Sequence, residues 1–202
     1  MLKAELSDSF FRWVLLAIFV PGISSAMYHR LRAARAGDKL DRRQEGLFIL
    51  ITLRVVGGIM FGSVFFWMAR PSSFPWARLD LPDAARWAGG LLLALAMSWL
   101  WWVMHTLGPN LTDTVVTRAR HTLVTGGPYR WVRNPLYTGV LAVGVALTLL
   151  TARWFYVIVC TAMFLILAVR TKKEEVNLIA RFGDDYRRYM ASTGRFFPRA
   201  SA

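Results

Sequence analysis

Five apolar runs, almost free of charged side chains, alternate with polar segments along this chain of 202 residues. Three of the runs reach the length of about 20 residues that an α-helix needs to cross the hydrocarbon core of a bilayer. The last two are shorter, and only Ala152 and Arg153 separate them, so they predict a tight helical hairpin whose helices extend past the apolar limits. We therefore expect an all-α integral membrane protein with five transmembrane helices, at residues 10–28, 47–69, 86–107, 136–151 and 154–169.

The composition excludes a soluble domain of this size. Hydrophobic residues make up 55% of the chain and the mean hydropathy is +0.39, which is more apolar surface than a small soluble core can bury. The N-terminal residues 1–9 contain Lys3, Glu5 and Asp8 instead of a basic region, and no clear small-residue cleavage site follows. A cleavable signal peptide is therefore not expected, and the first run is predicted to remain as a membrane anchor.

Positive charge is concentrated in three of the polar segments. The formal net charge of +13 is compatible with nucleic-acid binding, but the distribution of this charge favours a topological explanation. Residues 29–46, 105–135 and 170–202 together carry 18 of the Lys and Arg residues, and the segments on the opposite side carry 6. The positive-inside rule identifies the richer side as the cytoplasm. We therefore expect a protein of the bacterial inner membrane, with the N-terminus outside, the C-terminus cytoplasmic and no nucleic-acid partner.

Metal and disulfide chemistry have no support in the sequence. The single cysteine, Cys160, lies within the fifth apolar run, and the histidines are scattered at His29, His105 and His121. No Cys/His spacing resembles a zinc site. We therefore expect neither a disulfide within the chain nor a metal ion.

The chain divides into two parts within a single membrane domain, residues 1–202. Residues 1–104 contain the first three runs, and residues 105–202 contain the helical hairpin, the polar motifs and a C-terminal helix. Asn134 and Pro135 predict the start of the fourth helix, with Asn as the N-cap and Pro at the first helical position.

The segment after the fifth run carries an acidic pair. Good helix formers continue past that run as far as a break at Gly183, so the fifth helix is predicted to extend beyond the membrane. Glu174 and Glu175 then lie one to two turns above the membrane, on the same side as Arg130 and Arg133. A site with cationic and anionic groups suits a zwitterionic ligand, whose carboxylate would lie at the start of the fourth helix.

Apolar and conformationally free residues flank this polar cluster. Leu123, Val124, Tyr129 and Tyr137 can form apolar walls for a flat ring, and the Gly-Gly turn that includes Gly127 allows the backbone to approach a ligand closely. The sequence therefore predicts a ligand pocket on one face of the membrane.

Each polar residue also has a purely structural interpretation. The two arginines can serve as interface anchors, Asn134 as a helix cap, and the two glutamates as solvated surface. Arg54, about two turns into the second run, can extend to the interface or point into the site. His121 can contact a ligand or form hydrogen bonds within its loop. The functional interpretation is favoured because these groups fall on one face of the membrane within a contiguous stretch of chain.

Two blocks of the chain resemble the isoprenylcysteine carboxyl methyltransferase family and its phospholipid methyltransferase relatives. The first block is His121-x-Leu-Val-Thr-x-Gly-Pro-Tyr-Arg-x-x-Arg-Asn-Pro-x-Tyr137-x-Gly139. The second block consists of Glu174-Glu175-x-x-Leu178, Phe182-Gly-x-x-Tyr186-x-x-Tyr189 and Arg195-Phe-x-Pro198. The order and spacing agree over both blocks, which fall within residues 105–198.

The resemblance implies an integral membrane methyltransferase that uses S-adenosylmethionine and releases S-adenosylhomocysteine. Its cofactor pocket would be cytoplasmic and lined by His121, Leu123, Val124, Gly127, Tyr129, Arg133, Asn134, Tyr137, Glu174 and Glu175. We expect Arg133 to orient the donor's carboxylate or an acidic acceptor, and Glu174 or Glu175 to bind the donor or accept a proton.

The methyl acceptor implied by the resemblance is lipophilic and enters from the bilayer. It would be an isoprenylcysteine carboxylate, a lipid, or a small thiol or amine. Family members that methylate carboxyl groups commonly have Arg-His-Pro where this chain has Arg133-Asn134-Pro135.

Two other classes of protein remain as alternatives. The first is an NADPH-dependent membrane sterol or enone reductase, which has a related C-terminal half but needs a further basic site for the 2′-phosphate and usually more spans. The second is a non-enzymatic membrane scaffold or transporter subunit, although the sequence shows neither the internal repeats nor the broken midplane helices typical of transporters. Comparing the binding of S-adenosylhomocysteine with that of NADPH separates the two enzyme classes.

Overall fold

The computed structural model describes residues 2–35, 47–108 and 122–199 of the chain. Short 3₁₀ turns lie at Pro75–Ala77 and Gly127–Arg130, and no β-strand occurs within the described ranges. The prediction of an all-α architecture is confirmed for this part of the chain. Its α-helices are, in order, α1 Leu2–Arg35, α2 Leu47–Ala69, α3 Asp83–Leu107, α4 Pro135–Thr151, α5 Phe155–Phe182 and α6 Asp184–Ser192.

Four of the described helices are long and apolar enough to cross a membrane. α4 is also apolar but has only 17 residues. That length corresponds to about 25 Å, somewhat less than the ~30 Å hydrocarbon core. The prediction of apolar membrane helices is supported, while the fourth of the five predicted spans stays a prediction. The four helical segments that meet the length criterion are Leu6–Arg35, Ile51–Ala69, Asp83–Leu107 and Phe155–Phe182.

Several helices extend beyond the apolar runs that predict them. α1 begins at Leu2 rather than at residue 10, because Asp8 is buried among arginine partners and does not end the helix. α5 continues to Phe182, and Gly183 follows it with a φ of +54°. Such a conformation favours glycine, and the predicted break at this position is confirmed.

α3 and α4 form the centre of the helical bundle. α3 packs most extensively against α4, α4 packs against α5, α1 lies against α3, and α2 lies against α5. Gly89 permits the close contact between α3 and α4, because a Cβ there would lie only 2.5 Å from the backbone nitrogen of Leu150. Small residues at helix contacts are typical of membrane proteins. The buried core includes Phe11, Leu15, Phe19, Val64, Trp67, Leu93, Leu147, Leu150 and Tyr156.

α3 is hydrogen-bonded to both ends of α4. Near the start of α4, Nε1 of Trp99 donates to the carbonyl of Pro135 at 3.0 Å. Near its end, Nε of Arg86 donates to the carbonyl of Leu150 at 3.0 Å. The two contacts lie at opposite ends of α4. The predicted site residues lie near the start of α4, and a second group of charged residues lies near its end.

Candidate active site

Arg133 and Glu175 connect the two motif blocks. Arg133 lies just before α4, and Glu175 lies on the part of α5 that continues past the apolar run. The Arg133 guanidinium donates from Nη2 and Nε to Oε1 of Glu175, at 3.0 and 3.2 Å. Only 8% and 6% of the two side chains are exposed. The structure therefore brings these two predicted residues together and excludes the solvated-surface interpretation of Glu175.

The segment after α6 brings a second arginine to Glu175. Arg195 donates from Nε to Oε1 of Glu175 at 3.2 Å and from Nη2 to Oε2. Arg133 also donates from Nη1 to the carbonyl of Met190 at 3.1 Å and to that of Thr193. Sequence reasoning did not include Arg195 among the site residues, although this arginine belongs to the last element of the family resemblance. The membership of Arg195 in that element was the sequence signal that could have identified it as a site residue.

Asn134 occupies the N-cap position of α4, but its side chain forms no capping hydrogen bond. Its Nδ2 donates to the carbonyl of Arg195 at 3.1 Å, and its backbone N–H donates to the same carbonyl at 3.0 Å. The backbone N–H of Arg133 donates to the carbonyl of Gly194 at 2.8 Å. The predicted helix start, with Asn134 at the N-cap and Pro135 at the first helical position, is confirmed. The Asn134 side chain does not cap the helix, because it binds the C-terminal segment instead. The carbonyls of this segment therefore occupy the backbone N–H groups of Arg133 and Asn134, just before α4. Those two N–H groups are not available to the ligand carboxylate that the sequence analysis places at the start of this helix.

Glu174 is the more accessible of the two adjacent carboxylates. The hydroxyl of Tyr137 donates to Oε2 of Glu174 at 2.8 Å, and Nη2 of Arg170 lies 3.5 Å from Oε1. The Glu174 side chain is 21% exposed, compared with 6% for Glu175. A partly exposed carboxylate can accept hydrogen bonds from the ammonium or hydroxyl groups of a ligand. Glu174 therefore suits contact with a ligand better than Glu175 does.

The Gly-Gly-Pro motif forms the 3₁₀ turn Gly127–Arg130. Gly127 has a φ of +58°, and a Cβ at this position would lie 2.8 Å from Oγ1 of Thr106. Both the backbone conformation and the available space therefore require glycine. Tyr129 is buried in the turn, and its carbonyl accepts a hydrogen bond from the hydroxyl of Tyr189 at 2.6 Å. This bond attaches α6 to the first motif block.

Three tyrosines of this region remain neutral. Burial raises the pKa of the Tyr129 phenol well above its usual range, and the neighbouring Tyr189 and Glu174 raise it further. Burial also raises the pKa values of Tyr186 and Tyr189. A phenol that stays protonated can donate a hydrogen bond but cannot serve as a base. These residues therefore act through packing and hydrogen bonding.

The predicted apolar walls lie just before the 3₁₀ turn. Leu123 and Val124 are half-buried there, in a segment without helix or strand. His121, the first residue of the predicted pocket, lies outside the described residues. Within the ranges that the structure covers, no group of three or more His, Cys, Asp or Glu side chains is placed to hold a metal ion.

Two further arginines lie apart from the ion pair. The guanidinium of Arg130 lies 4.0 Å from the ring centroid of Trp131, and Arg130 is exposed. Arg54 is exposed on α2, as is typical of an arginine that extends towards the membrane interface. Neither residue joins the cluster around Glu175.

The solved structure of the eukaryotic intramembrane Ras methyltransferase ICMT (isoprenylcysteine carboxyl methyltransferase) has the same fold. Its TM-score with this chain is 0.55 at 19% sequence identity, and the superposition covers 97% of this chain and 72% of that chain. The agreement therefore extends to the N-terminal helices, where the sequence shows no family motif.

Curated proteins and a family model also match part of this chain. The protein-S-isoprenylcysteine O-methyltransferase of Rattus norvegicus is 32% identical over an alignment of 120 residues, and the match covers 50% of this chain and 37% of the rat protein. That of Homo sapiens is 31% identical over an alignment of 103 residues, and the match covers 43% of this chain and 31% of the human protein. The matches thus span less than two fifths of the relatives' own length. The model of the isoprenylcysteine carboxyl methyltransferase (ICMT) family matches residues 89–180, which include Arg133 and Glu175. The resemblance of this chain to the isoprenylcysteine carboxyl methyltransferase family, predicted from its two motif blocks, is therefore confirmed.

Proposed function

We propose that this chain is an integral membrane methyltransferase that takes its methyl group from S-adenosylmethionine and transfers it to a lipophilic acceptor. The observation that carries the proposal is the buried Arg133–Glu175 ion pair, which joins two motif blocks across 42 positions of the chain. The acceptor class that we favour is the carboxylate of an isoprenylated cysteine. The names of the rat and human relatives, which are O-methyltransferases of protein S-isoprenylcysteine, support this choice.

The residues beside the ion pair fit the chemical groups of S-adenosylmethionine. Its ammonium and ribose hydroxyls need hydrogen-bond acceptors, and Glu174 offers a partly exposed carboxylate. Its adenine needs flat apolar walls, for which Leu123, Val124 and Tyr137 are suited. At Gly126 an added Cβ would meet no atom within 4 Å, so a ligand can approach the backbone of the turn. The rest of the proposed lining consists of His121, Gly127, Tyr129 and Asn134.

In this proposal Arg133 and Glu175 position the site rather than contact the donor. Arginine has five N–H donors, and Arg133 already makes four hydrogen bonds, to Glu175 and to two backbone carbonyls. Glu175 accepts four hydrogen bonds from Arg133 and Arg195. Little hydrogen-bonding capacity remains for a ligand on either side chain. We therefore assign the contact with the donor to Glu174.

S-adenosylmethionine, when bound, supplies an electrophilic methyl group on a sulfonium. The protein has to align the acceptor with this group and to exclude water. A carboxylate acceptor needs no base. A thiol or amine acceptor must lose a proton, and Glu174 is the residue of this cluster that we would assign to accept it.

We assign the site to the cytoplasmic face of a bacterial inner membrane, with five spans and the N-terminus outside. The support for this orientation is the concentration of Lys and Arg in the three segments that five spans bring to one side. The donor would then enter from the cytoplasm and the acceptor from the bilayer.

Binding of S-adenosylhomocysteine and of NADPH to the purified protein tests the assignment of the donor. Glu174→Gln keeps the shape of the side chain and removes its charge, so it should weaken S-adenosylhomocysteine binding by about 1.5–3 kcal/mol, roughly 10- to 150-fold. Asp184→Asn is the matched control, because this carboxylate at the start of α6 is 84% exposed and lies outside the proposed pocket. Unchanged affinity in Glu174→Gln, or binding of NADPH in place of S-adenosylhomocysteine, would contradict the proposal.

Transfer of a labelled methyl group tests the class of acceptor. We expect label in a farnesylcysteine analogue with a free carboxylate, and none in the analogue whose carboxylate is already esterified. Label that enters only the amine headgroups of extracted lipids would overturn the carboxylate assignment, while methyl transfer itself would stand.

A further inference from the structure

A cavity of about 610 Å³ lies between the start of α1, the start of α3 and the connection that precedes α3. Arg86 lines this cavity and also binds the carbonyl of Leu150 near the end of α4, whereas Arg133 lies at the start of α4. The 17 residues of α4 separate the two places by about 25 Å. The cavity is therefore remote from the candidate active site. Its lining includes Ser7, Phe10, Arg78, Asp80, Arg86 and Trp87.

Three arginines converge on one buried carboxylate beside the cavity. Asp8 is fully buried and pairs with Arg86 at 2.9 Å, with Arg153 at 3.0 Å and with Arg78 at 3.3 Å. The guanidinium charges exceed the charge of this carboxylate, so the group as a whole is basic. Arg153 is fully buried and donates to several backbone carbonyls. Arg78 and Arg86 are the two that face the cavity.

Arg78 is the accessible basic group of the cavity, and the buried Arg86 adds positive charge beside it. Nη2 of Arg86 is buried and has no hydrogen-bond partner among residues 2–35, 47–108 and 122–199, which is unfavourable for a buried donor. The Arg78 side chain is 30% exposed and contacts Asp8 through Nη1. Guanidinium groups bind phosphate through paired, charge-assisted hydrogen bonds. The basic side of the cavity therefore fits a phosphate group.

Acidic and aromatic side chains at the rim of the cavity indicate which kind of phosphate-containing ligand would fit. Asp80 and Asp83 are exposed there, and Oδ1 of Asp83 accepts a hydrogen bond from Ser7 at 3.0 Å. Carboxylates beside a basic cluster fit a ligand that carries an ammonium group as well as a phosphate. One turn further along α1 and α3, Phe10 and Trp87 are each 52% exposed, with ring centroids 5.7 Å apart. Exposed tryptophan is typical of the membrane–water interface, where lipid headgroups lie.

We propose that this cavity binds the headgroup of a zwitterionic aminophospholipid, such as phosphatidylethanolamine. The phosphate lies against Arg78, with the positive charge of the buried Arg86 beside it. The ammonium group lies against Asp80, and the acyl chains pass along Phe10 and Trp87 into the bilayer. A free phosphate would use the arginines alone, whereas a lipid also uses the acidic rim and the aromatic pair. This binding does not depend on methyl transfer, because the two sites lie at opposite ends of α4.

Lipid titration of the full chain in detergent, with bound lipid measured by native mass spectrometry, tests the proposal. The wild type should bind phosphatidylethanolamine about tenfold more tightly than phosphatidylglycerol, and Arg78→Gln should weaken phosphatidylethanolamine binding by about tenfold. Arg70→Gln is the matched control, because this exposed arginine lies on the same connection outside the cavity, and its lipid binding should be unchanged. Asp80→Asn should remove the preference for phosphatidylethanolamine without changing the melting temperature.

Three results would overturn the proposal. The first is equal affinity of the wild type and Arg78→Gln for phosphatidylethanolamine, and the second is equal affinity of the wild type for the two lipids. The third is displacement of the lipid by inorganic phosphate at the same concentration, which would assign the cavity to a free anion. Asp80→Asn keeps every ion pair of Asp8, so its lipid preference decides the question even if Arg78→Gln fails to fold.

Discussion

Replacing Glu175 by glutamine removes the carboxylate that Arg133 and Arg195 share. Glu175 is buried at the junction of α5, the start of α4 and the C-terminal segment. A glutamine keeps the shape of the side chain, but it offers one acceptor oxygen and turns an amide NH₂ group towards guanidinium donors. The two guanidinium groups then lie close together without a negative carboxylate between them. We therefore expect the folded protein to lose stability.

The size of this loss follows from the burial of the three side chains. Removing one partner of a buried ion pair costs about 3–5 kcal/mol. Arg195 is 40% exposed, so water compensates part of its loss, and the lower end, about 3 kcal/mol, is the expected value. For a chain of this length 1 kcal/mol corresponds to a shift of about 2–4 °C in Tm. Glu175→Gln should therefore melt about 6–12 °C below the wild type.

Thermal unfolding in detergent, followed by the fluorescence of the nine tryptophans, measures this difference. Glu174→Gln is the matched control, because the same substitution one position away affects a partly exposed carboxylate whose contacts include the phenol of Tyr137 and a longer ion pair with Arg170. Its expected loss is about 1 kcal/mol, or about 2–4 °C. If Glu175→Gln melts no lower than Glu174→Gln, the shared carboxylate does not hold the two blocks together and the reasoning is refuted.

Reporter fusions at Ser72 and Ala202 should report opposite sides of the membrane, and the same side for both would contradict five spans. Gly127→Ala should lower the free energy of unfolding in denaturant titration by about 1–2 kcal/mol, because φ is +58° and the added Cβ would meet Thr106; an unchanged midpoint would mean that the turn relaxes. Asn134→Asp should lose about 1–3 kcal/mol in the same assay, because it puts an acceptor against the carbonyl that Nδ2 now contacts at 3.1 Å. Wild-type stability in this variant would show that capping, and not this hydrogen bond, is the role of Asn134.

The helices were predictable because their signals act over a few neighbouring residues. The fourth apolar run, residues 136–151, differs from α4 by one residue, and Gly183 separates α5 from α6 as predicted. The run of helix formers after the apolar part of α5 also predicted that this helix continues past the apolar residues. It indicated that Glu175 lies on the same helix beyond the membrane, where Arg133 reaches it.

The partners of buried charges could not be predicted, because they come from distant parts of the chain. The sequence places Arg153 in the turn of the helical hairpin, but nothing local indicates that it is fully buried and pairs with Asp8 across 145 positions. Arg195 contacts Glu175 only because the segment after α6 turns back towards α4. Asn134 has a strong local preference for capping, and the same segment overrides that preference.

Adjacent glutamates on α5 acquire different roles because successive residues of an α-helix point about 100° apart. Glu175 faces two arginines and is buried, while Glu174 faces the phenol of Tyr137 and keeps part of its surface exposed. The proposed methyl transfer would depend on the alignment of donor and acceptor, so a residue that touches neither could still control its rate. Loosening the Arg133–Glu175 pair would displace Glu174 and Tyr137 together, and both stability and kcat would fall. Loss of the Glu174 carboxylate alone would weaken donor binding in a protein that stays folded, which makes the two positions separable by experiment although their chemistry is the same.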